Sequence, residues 1–199
     1  TDGAFRYMTE ESVALEVCVP YSSKDGTDGS TCPDVASDIS SCAVTSNKTF
    51  TGTECYYHAS NDLATVQRDI MQNGPVLATF VVYEDFYTYG SGVYTCPTGE
   101  TSVGAHAVIV VGWGTEDGLD YWLIENSWGS GWGADGYVKI RRGTNECNIE
   151  SSIVTTGVDT DNIVLSESVY SGAVAPSHQT SVTAFALAQV FFAGKGRAD

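Results

Sequence analysis

Two side chains in the middle of the chain could take part in acid–base chemistry. His106 lies inside an apolar run, Val103-Gly-Ala-His-Ala-Val-Ile-Val-Val, and an imidazole can exchange a proton near neutral pH. Asn126 follows a second apolar run, and its amide oxygen can accept a hydrogen bond from a ring N–H. Alone, each has an ordinary structural interpretation, because a His within a strand is usually a core residue and Asn-Ser-Trp-Gly can be a simple turn.

The sequence around this pair is long and specific. The Gly-x-His-Ala run is followed by Gly112-Trp-Gly and then by Tyr121-Trp-Leu-Ile-Glu-Asn-Ser-Trp-Gly-Ser-Gly-Trp-Gly-Ala-Asp-Gly-Tyr137. In this combination the chain resembles the papain family of cysteine peptidases, over about residues 1–157. The resemblance implies an α+β, papain-like fold, of which this chain supplies mainly the antiparallel β-barrel domain plus a short helix of the helical domain.

The resemblance also implies roles for four residues. His106 matches the base that forms a thiolate–imidazolium pair with a cysteine, which lowers the pKa of the thiol and makes it a nucleophile. Asn126 matches the residue that accepts the other ring N–H and orients the imidazole. Trp128 matches the ring that shields this hydrogen bond from water, and Trp132 matches an aromatic residue on the primed side of the cleft.

The nucleophile itself has no match in the chain. The family signature C-G-[SA]-C-[WY] is absent, and its spacing to the His predicts a thiol roughly 25–45 residues before Thr1. We therefore expect an upstream segment or light chain to supply the catalytic Cys, and expect this chain alone to be inactive toward peptides.

Other segments resemble the cathepsin B and cathepsin C branches of the family. These are Cys18-Val-Pro-Tyr21, Tyr83-Glu-Asp-Phe86 and Arg141-Arg-Gly-Thr-Asn-Glu-Cys-Asn-Ile-Glu150. By the same resemblance, the substrate-binding pocket is matched by Thr79, Ala107 and Ser152. Ser152 stands where cathepsin B carries an acid that accepts Arg, so we expect a neutral or hydrophobic residue to be preferred there.

Six cysteines without a CxxC pair favour disulfides over a structural zinc site, and we expect no metal or cofactor. The resemblance pairs Cys18 with Cys42 and Cys96 with Cys147, assigns Cys32 to an upstream chain, and leaves Cys55 unassigned. Asn47 begins a glycosylation sequon, Asn-Lys-Thr. Together these features predict a lysosomal, vacuolar or secreted protein.

The overall charge argues against nucleic acid as a partner. Nine basic and 25 acidic residues give a formal net charge of −16, the opposite of a basic nucleic-acid footprint. The longest apolar stretch, Val182–Ala193, is about 12 residues and too short for a bilayer, which needs about 20. That stretch is instead a candidate docking element for another protein.

Local patterns predict where the elements lie. Asp62 as an N-cap and Gly74 as a stop frame a helix over residues 62–73 with one apolar face. Strands are predicted at 76–82, 92–94, 105–113, 121–126 and 136–141, with a hairpin turn at 116–118. Residues 3–12 are predicted as a short helix, 18–61 as an irregular excursion, and 162–165 as a candidate closing strand.

These patterns divide the chain into residues 1–16 as a remnant of the helical domain, 17–157 as the barrel with a disulfide-rich loop, and 158–199 as a C-terminal extension. Two functional hypotheses remain open. The first is a two-chain cysteine peptidase that acts on peptide or protein substrates, with this chain as its heavy-chain-like part. The alternative is a catalytically inactive papain-like module with a structural or protein-binding role. A nucleophilic cysteine in an upstream segment would favour the peptidase, and its absence would favour the inactive module.

Overall fold

The computed structural model describes residues 7–10, 13–14, 18, 49–60 and 62–158. They fall into two compact units, one made of the described residues up to Cys55 with those from Thr156, and one spanning Tyr56–Thr155. Residues 7–10 are helical, and short strands β1 (Val13–Ala14) and β2 (Thr49–Phe50) pair antiparallel. The second unit contains the residues predicted to do chemistry.

A seven-stranded sheet dominates the fold. Its order is β3-β9-β4-β6-β7-β8-β5. The strands are β3 (Gly52–Tyr57), β4 (Val76–Val82), β5 (Val93–Tyr94), β6 (Gly104–Glu116), β7 (Leu119–Glu125), β8 (Tyr137–Arg141) and β9 (Ile153–Val158). The pairs β4–β6, β4–β9, β6–β7 and β7–β8 are antiparallel, whereas the short β5 runs parallel to β8. The α+β class expected from the sequence is confirmed.

The hairpin between β6 and β7 forms where the sequence predicts it. Asp117 (φ 51°) and Gly118 (φ 78°) make a two-residue turn between the paired residues Glu116 and Leu119. Two successive positive φ angles match the right-handed twist of the flanking strands, and Asp-Gly tolerates both. Near the middle of the long strand β6, a register shift between Val110 and Gly112 interrupts its regular pairing with β7.

Helix α1 (Leu63–Asn73) also follows the predicted signals. The carboxylate of Asp62 accepts a hydrogen bond from the backbone N of Thr65 at 3.2 Å, which satisfies one of the open donors of the first turn. Val66 and Ile70 are buried on one face. Gly74, at φ 94°, ends the helix in a conformation that L side chains rarely adopt.

One sequence prediction is wrong. Residues 18–61 are not irregular throughout, because β3 forms a strand within them. Its Tyr56 and Tyr57 are exposed, so no alternation of apolar residues marks it. It is held by edge pairing, and the backbone N of His58, just after β3, donates to the carbonyl of Ile153 at 3.0 Å. The candidate strand at 162–165 lies outside the described residues.

Candidate active site

His106 and Asn126 meet at the ends of neighbouring strands. His106 lies near the start of β6, and Asn126 directly follows β7. Both are buried, at 4% and 8% exposure, and His106 Nε2 lies 2.8 Å from Asn126 Oδ1. The antiparallel register of β6 and β7 produces this meeting, because it brings the beginning of one strand to the end of the other.

A second hydrogen bond to the Asn126 amide shows which ring nitrogen of His106 carries the proton. Asn126 Oδ1 also accepts a hydrogen bond from the backbone N of Ser127, at 2.8 Å. Since a backbone N–H can only donate, the atom between it and the ring must be the amide oxygen. His106 Nε2 therefore carries the proton and donates it, which leaves Nδ1 as the nitrogen that exchanges a proton in chemistry.

Trp128 covers the imidazole. Its ring stacks on that of His106 with centroids 5.1 Å apart and planes inclined by 24°. The ring of Tyr87 stacks on Trp128 at 5.3 Å and 13°. Trp132 meets Trp128 edge-on at 5.0 Å, and its indole Nε1 donates to the carbonyl of Tyr87 at 3.0 Å. The structure thus brings together the four residues that the motif predicted, and adds Tyr87.

A tight loop between β7 and β8 holds these two tryptophans. Its ends are joined by a hydrogen bond from Asn126 N to the carbonyl of Gly136, at 3.0 Å. Gly133 has a φ of 59°, and a Cβ there would lie 2.6 Å from the carbonyl oxygen of Tyr137. Only glycine fits such a position without displacing the backbone of β8. The packing of this loop therefore requires the glycine at position 133 of the motif.

The three residues matched to the substrate pocket are neighbours. Thr79 on β4 lies directly opposite Ala107 on β6. The backbone N of Thr79 donates to the carbonyl of Ser152 at 3.3 Å, just before β9. All three are partly exposed, so their side chains border a surface and do not fill the core. No carboxylate stands among them.

Two acidic residues precede Tyr87 in the chain. A short 3₁₀ helix, Glu84–Thr88, carries Glu84 and Asp85 in its first turn and Tyr87 near its end. The hydroxyl of Tyr94 donates to Asp85 Oδ1 at 2.6 Å. Burial, aided by this hydrogen bond, raises the pKa of Tyr94 well above its usual value, so the phenol stays a neutral donor.

A disulfide joins Cys96 to Cys147, with Cα atoms 5.7 Å apart, as the resemblance implies. Cys18 is buried and also disulfide-bonded, and Cys55 is exposed. Cys32, Cys42, Asn47 and Val182–Ala193 lie outside the described residues. Among the described residues, no cluster of three or more His, Cys, Asp or Glu side chains could hold a metal ion, and no helix is long and apolar enough to cross a membrane.

Two polar clusters were not predicted from the sequence. The carboxylate of Glu150 is buried and accepts hydrogen bonds from Trp122 Nε1, Gly143 N and Asn145 N, at 3.0, 2.6 and 2.8 Å. Buried His58 lies 3.0 Å from Asp69 Oδ2. The Trp122–Glu150 and His58–Asp69 contacts join residues from different elements, so no local sequence signal marks them.

A buried His–Asn pair under a tryptophan, on this α+β fold, defines the class of papain-like proteins. The pattern of the papain family cysteine proteases matches residues 1–156, and the chain belongs to this family. The resemblance expected from the sequence is thereby confirmed.

Within the family, the chain is similar to cathepsin B-like proteins. It is 42% identical to Cathepsin B-like protease 1 of Arabidopsis thaliana over 160 residues, 76% of this chain and 42% of that protein. It is also 42% identical to the Gut-specific cysteine proteinase of Caenorhabditis elegans over 146 residues, 69% of this chain and 43% of that protein. The chain thus spans about two fifths of the length of these curated relatives.

Solved structures show the same relationship. Procathepsin B S9 from Trypanosoma congolense superposes with a TM-score of 0.64 at 35% identity, over 78% of this chain and 52% of that one. Digestive procathepsin L 3 of Tenebrio molitor gives a TM-score of 0.61 at 30% identity, over 78% of this chain and 47% of that one. The papain-like fold is confirmed.

Proposed function

We propose that this chain is the His- and Asn-bearing part of a cysteine-type peptidase. The observation that carries the proposal is the buried hydrogen bond from His106 Nε2 to Asn126 Oδ1 beneath the ring of Trp128. This bond sets the tautomer and the ring orientation, so that Nδ1 is the position for a proton shared with a thiol. The thiol comes from an upstream segment or light chain.

The reaction follows from these roles. The thiol gives its proton to His106 Nδ1, and the thiolate attacks the scissile carbonyl carbon of a peptide. When the C–N bond breaks, the imidazolium donates its proton to the leaving amine, and an acyl-thioester remains. His106 then takes a proton from water, whose oxygen attacks the thioester carbonyl. The departing thiolate and the imidazolium re-form the starting pair, so one peptide and one water give an acid and an amine.

The pocket formed by Thr79, Ala107 and Ser152 selects the substrate residue. Its side chains are small or hydroxyl-bearing, and no carboxylate stands among them to pair with a cation. Peptides with a neutral or hydrophobic residue at this position are therefore the proposed substrates. The disulfide between Cys96 and Cys147 supports an oxidising compartment, either lysosomal or vacuolar or outside the cell.

An epoxide affinity probe for cysteine peptidases tests the function. Protein purified from its source is treated with the probe, and its intact mass is measured with and without reductant. We expect a thiol-bearing segment or disulfide-linked chain that carries one probe molecule. A protein that remains unlabelled would refute the peptidase assignment and favour a catalytically inactive papain-like binding module.

A recombinant variant provides the control for that labelling. His106→Ala removes the base, and we expect labelling to slow on the order of 10²–10⁴-fold, the usual contribution of a positioned acid–base residue. Labelling at an unchanged rate would mean that the probe reacts with a cysteine outside the proposed site.

A further inference from the structure

Three rings of different residues form one continuous stack beside the proposed site. Trp128 stacks on the imidazole of His106, with centroids 5.1 Å apart, and on the phenol of Tyr87, with centroids 5.3 Å apart. The planes incline by 24° on the His side and 13° on the Tyr side. The indole that stacks on the imidazole of the buried His106–Asn126 pair is therefore itself stacked against the phenol of Tyr87.

The position of Tyr87 is set by the backbone and by its neighbour. Phe86 is fully buried, and its ring meets those of Trp128 and Trp132 at 5.5 and 5.1 Å. Trp132 Nε1 donates to the carbonyl of Tyr87 at 3.0 Å. Both anchors are independent of the Tyr87 side chain. Loss of the Tyr87 ring would therefore leave the 3₁₀ helix in place and remove only the stacking contact with Trp128.

The stacking of Tyr87 on Trp128 helps to shield the His106–Asn126 hydrogen bond from water. A hydrogen bond is stronger where water is excluded. The indole of Trp128 can exclude water only while it remains stacked on the imidazole of His106. Trp128 is only partly buried, and the stacked ring of Tyr87 adds contact area to this partly solvent-exposed indole. A stacked aromatic pair contributes interaction free energy beyond that of its buried area, and this energy holds the indole against the imidazole.

The geometry points to Tyr87 as a positioning residue for the His106–Asn126 pair. It acts through Trp128, the ring that stacks on His106 over the hydrogen bond. This role rests on the proposed function only in that the hydrogen bond serves catalysis. The shielding itself is a property of the folded chain and can be measured without any reaction.

The direct measurement is the exchange of the His106 Nε2 proton with water, observed by NMR on protein labelled with ¹⁵N-histidine. In Tyr87→Ala we expect this exchange to accelerate about tenfold or more, equivalent to about 1.4 kcal/mol of lost protection. Tyr87→Phe keeps the ring and should exchange like the wild type. Tyr57→Ala is the matched control, because Tyr57 is also half-exposed, at 56% against 53% for Tyr87, and lies on β3.

Each outcome decides the inference. Faster exchange in Tyr87→Ala, with Tyr87→Phe and Tyr57→Ala near the wild type, supports it. Exchange within twofold of the wild type in Tyr87→Ala overturns it, as does equal acceleration in Tyr57→Ala. If Tyr87→Ala does not fold, Tyr87→Gln, of similar length and without a ring, takes its place with the same two outcomes.

The same variants separate this inference from the peptidase proposal. In active protein, Tyr87→Ala should lower kcat severalfold with little change in KM, whereas Tyr87→Phe should not. If the probe labels no thiol but the exchange rates differ as expected, the peptidase proposal fails and the shielding role stands. If labelling succeeds and the exchange rates do not differ, the peptidase proposal stands and the role of Tyr87 is refuted.

Discussion

Asn126 Oδ1 accepts a hydrogen bond from the backbone N of Ser127, the next residue in the chain, at 2.8 Å. The side-chain amide is thus oriented by the adjacent backbone, and the same oxygen also accepts a hydrogen bond from the imidazole of His106. One lone pair of that oxygen is used locally and the other across the sheet. A side chain with two fixed bonds loses little further freedom when the ring reorganises during a reaction.

Removal of the Asn126 amide should therefore cost activity more than stability. For Asn126→Ala we expect kcat/KM to fall on the order of 10- to 100-fold, as when a partner that orients a functional His is lost. Steady-state kinetics with a fluorogenic peptide measures this change. Asn73→Ala, at the exposed end of α1, is the control and should keep wild-type kinetics. Equal losses in both variants would contradict the prediction.

A charge at position 152 should change substrate preference. Ser152→Glu places a carboxylate beside Thr79 and Ala107, where a bound basic side chain can form a charge-assisted hydrogen bond. Such a bond contributes about 1.5–3 kcal/mol, so kcat/KM for peptides with Arg at the selected position should rise about 10-fold or more relative to those with Leu. Ser152→Gln has the same size without the charge and should not change the ratio. A matching rise in Ser152→Gln would refute the assignment of this pocket.

The disulfide between Cys96 and Cys147 should stabilise the second unit. It closes a separation of 51 residues, for which the chain-entropy estimate is about 4 kcal/mol. We expect the double variant Cys96→Ala with Cys147→Ala to lose about 2–4 kcal/mol of unfolding free energy in urea titrations. The urea midpoint of the double variant should also change less on addition of reductant than the urea midpoint of the wild type. An unchanged midpoint in the double variant would show that the bond contributes nothing to folding.

Glu150 should matter for folding although it lies away from the proposed chemistry. Its buried carboxylate accepts a buried hydrogen bond from Trp122 and two partly buried ones from the backbone of Gly143 and Asn145. Glu150→Ala leaves the buried Trp122 donor without that acceptor, at about 1–3 kcal/mol, and removes two partly buried hydrogen bonds of about 0.5–1.5 kcal/mol each, so we expect a total loss of about 2–6 kcal/mol. Thermal unfolding would report it, with Glu146→Ala, a partly exposed Glu on the same segment, for comparison. A smaller loss in Glu150→Ala than in Glu146→Ala would contradict this account.

The N-cap of α1 should make stability depend on pH in the acid range. Hydrogen bonds from Thr65, through its side chain and its backbone N–H, lower the pKa of Asp62. A carboxyl whose pKa is lower in the folded state contributes stability above its unfolded pKa of about 4, and that contribution is lost as the pH falls through the folded pKa. Asp62→Asn keeps an acceptor and does not titrate. The Tm of the wild type relative to Asp62→Asn should therefore fall on acidification, and a constant difference would refute the assignment.

The sequence alone predicted those parts of the fold whose signals are local. Helix α1 has an N-cap at Asp62, a stop at Gly74 and one apolar face, and all three act within a few residues. The β6–β7 hairpin follows from Asp117-Gly118 between two apolar runs. Strand β3 was missed because its tyrosines are exposed and it is held by hydrogen bonds to β9, which lies far away in the chain.

The candidate site, too, was predictable from the sequence only in part. The residue types and spacing around His106 and Asn126 determined the family, and with it the proposed chemistry, because a motif of this length is specific without any coordinates. Only the tertiary structure decided which nitrogen of His106 carries the proton, that Tyr87 stacks on Trp128, and that Glu150 holds Trp122. Each depends on side chains brought together from separate segments by strand register and packing, and no local pattern in the chain encodes such distances.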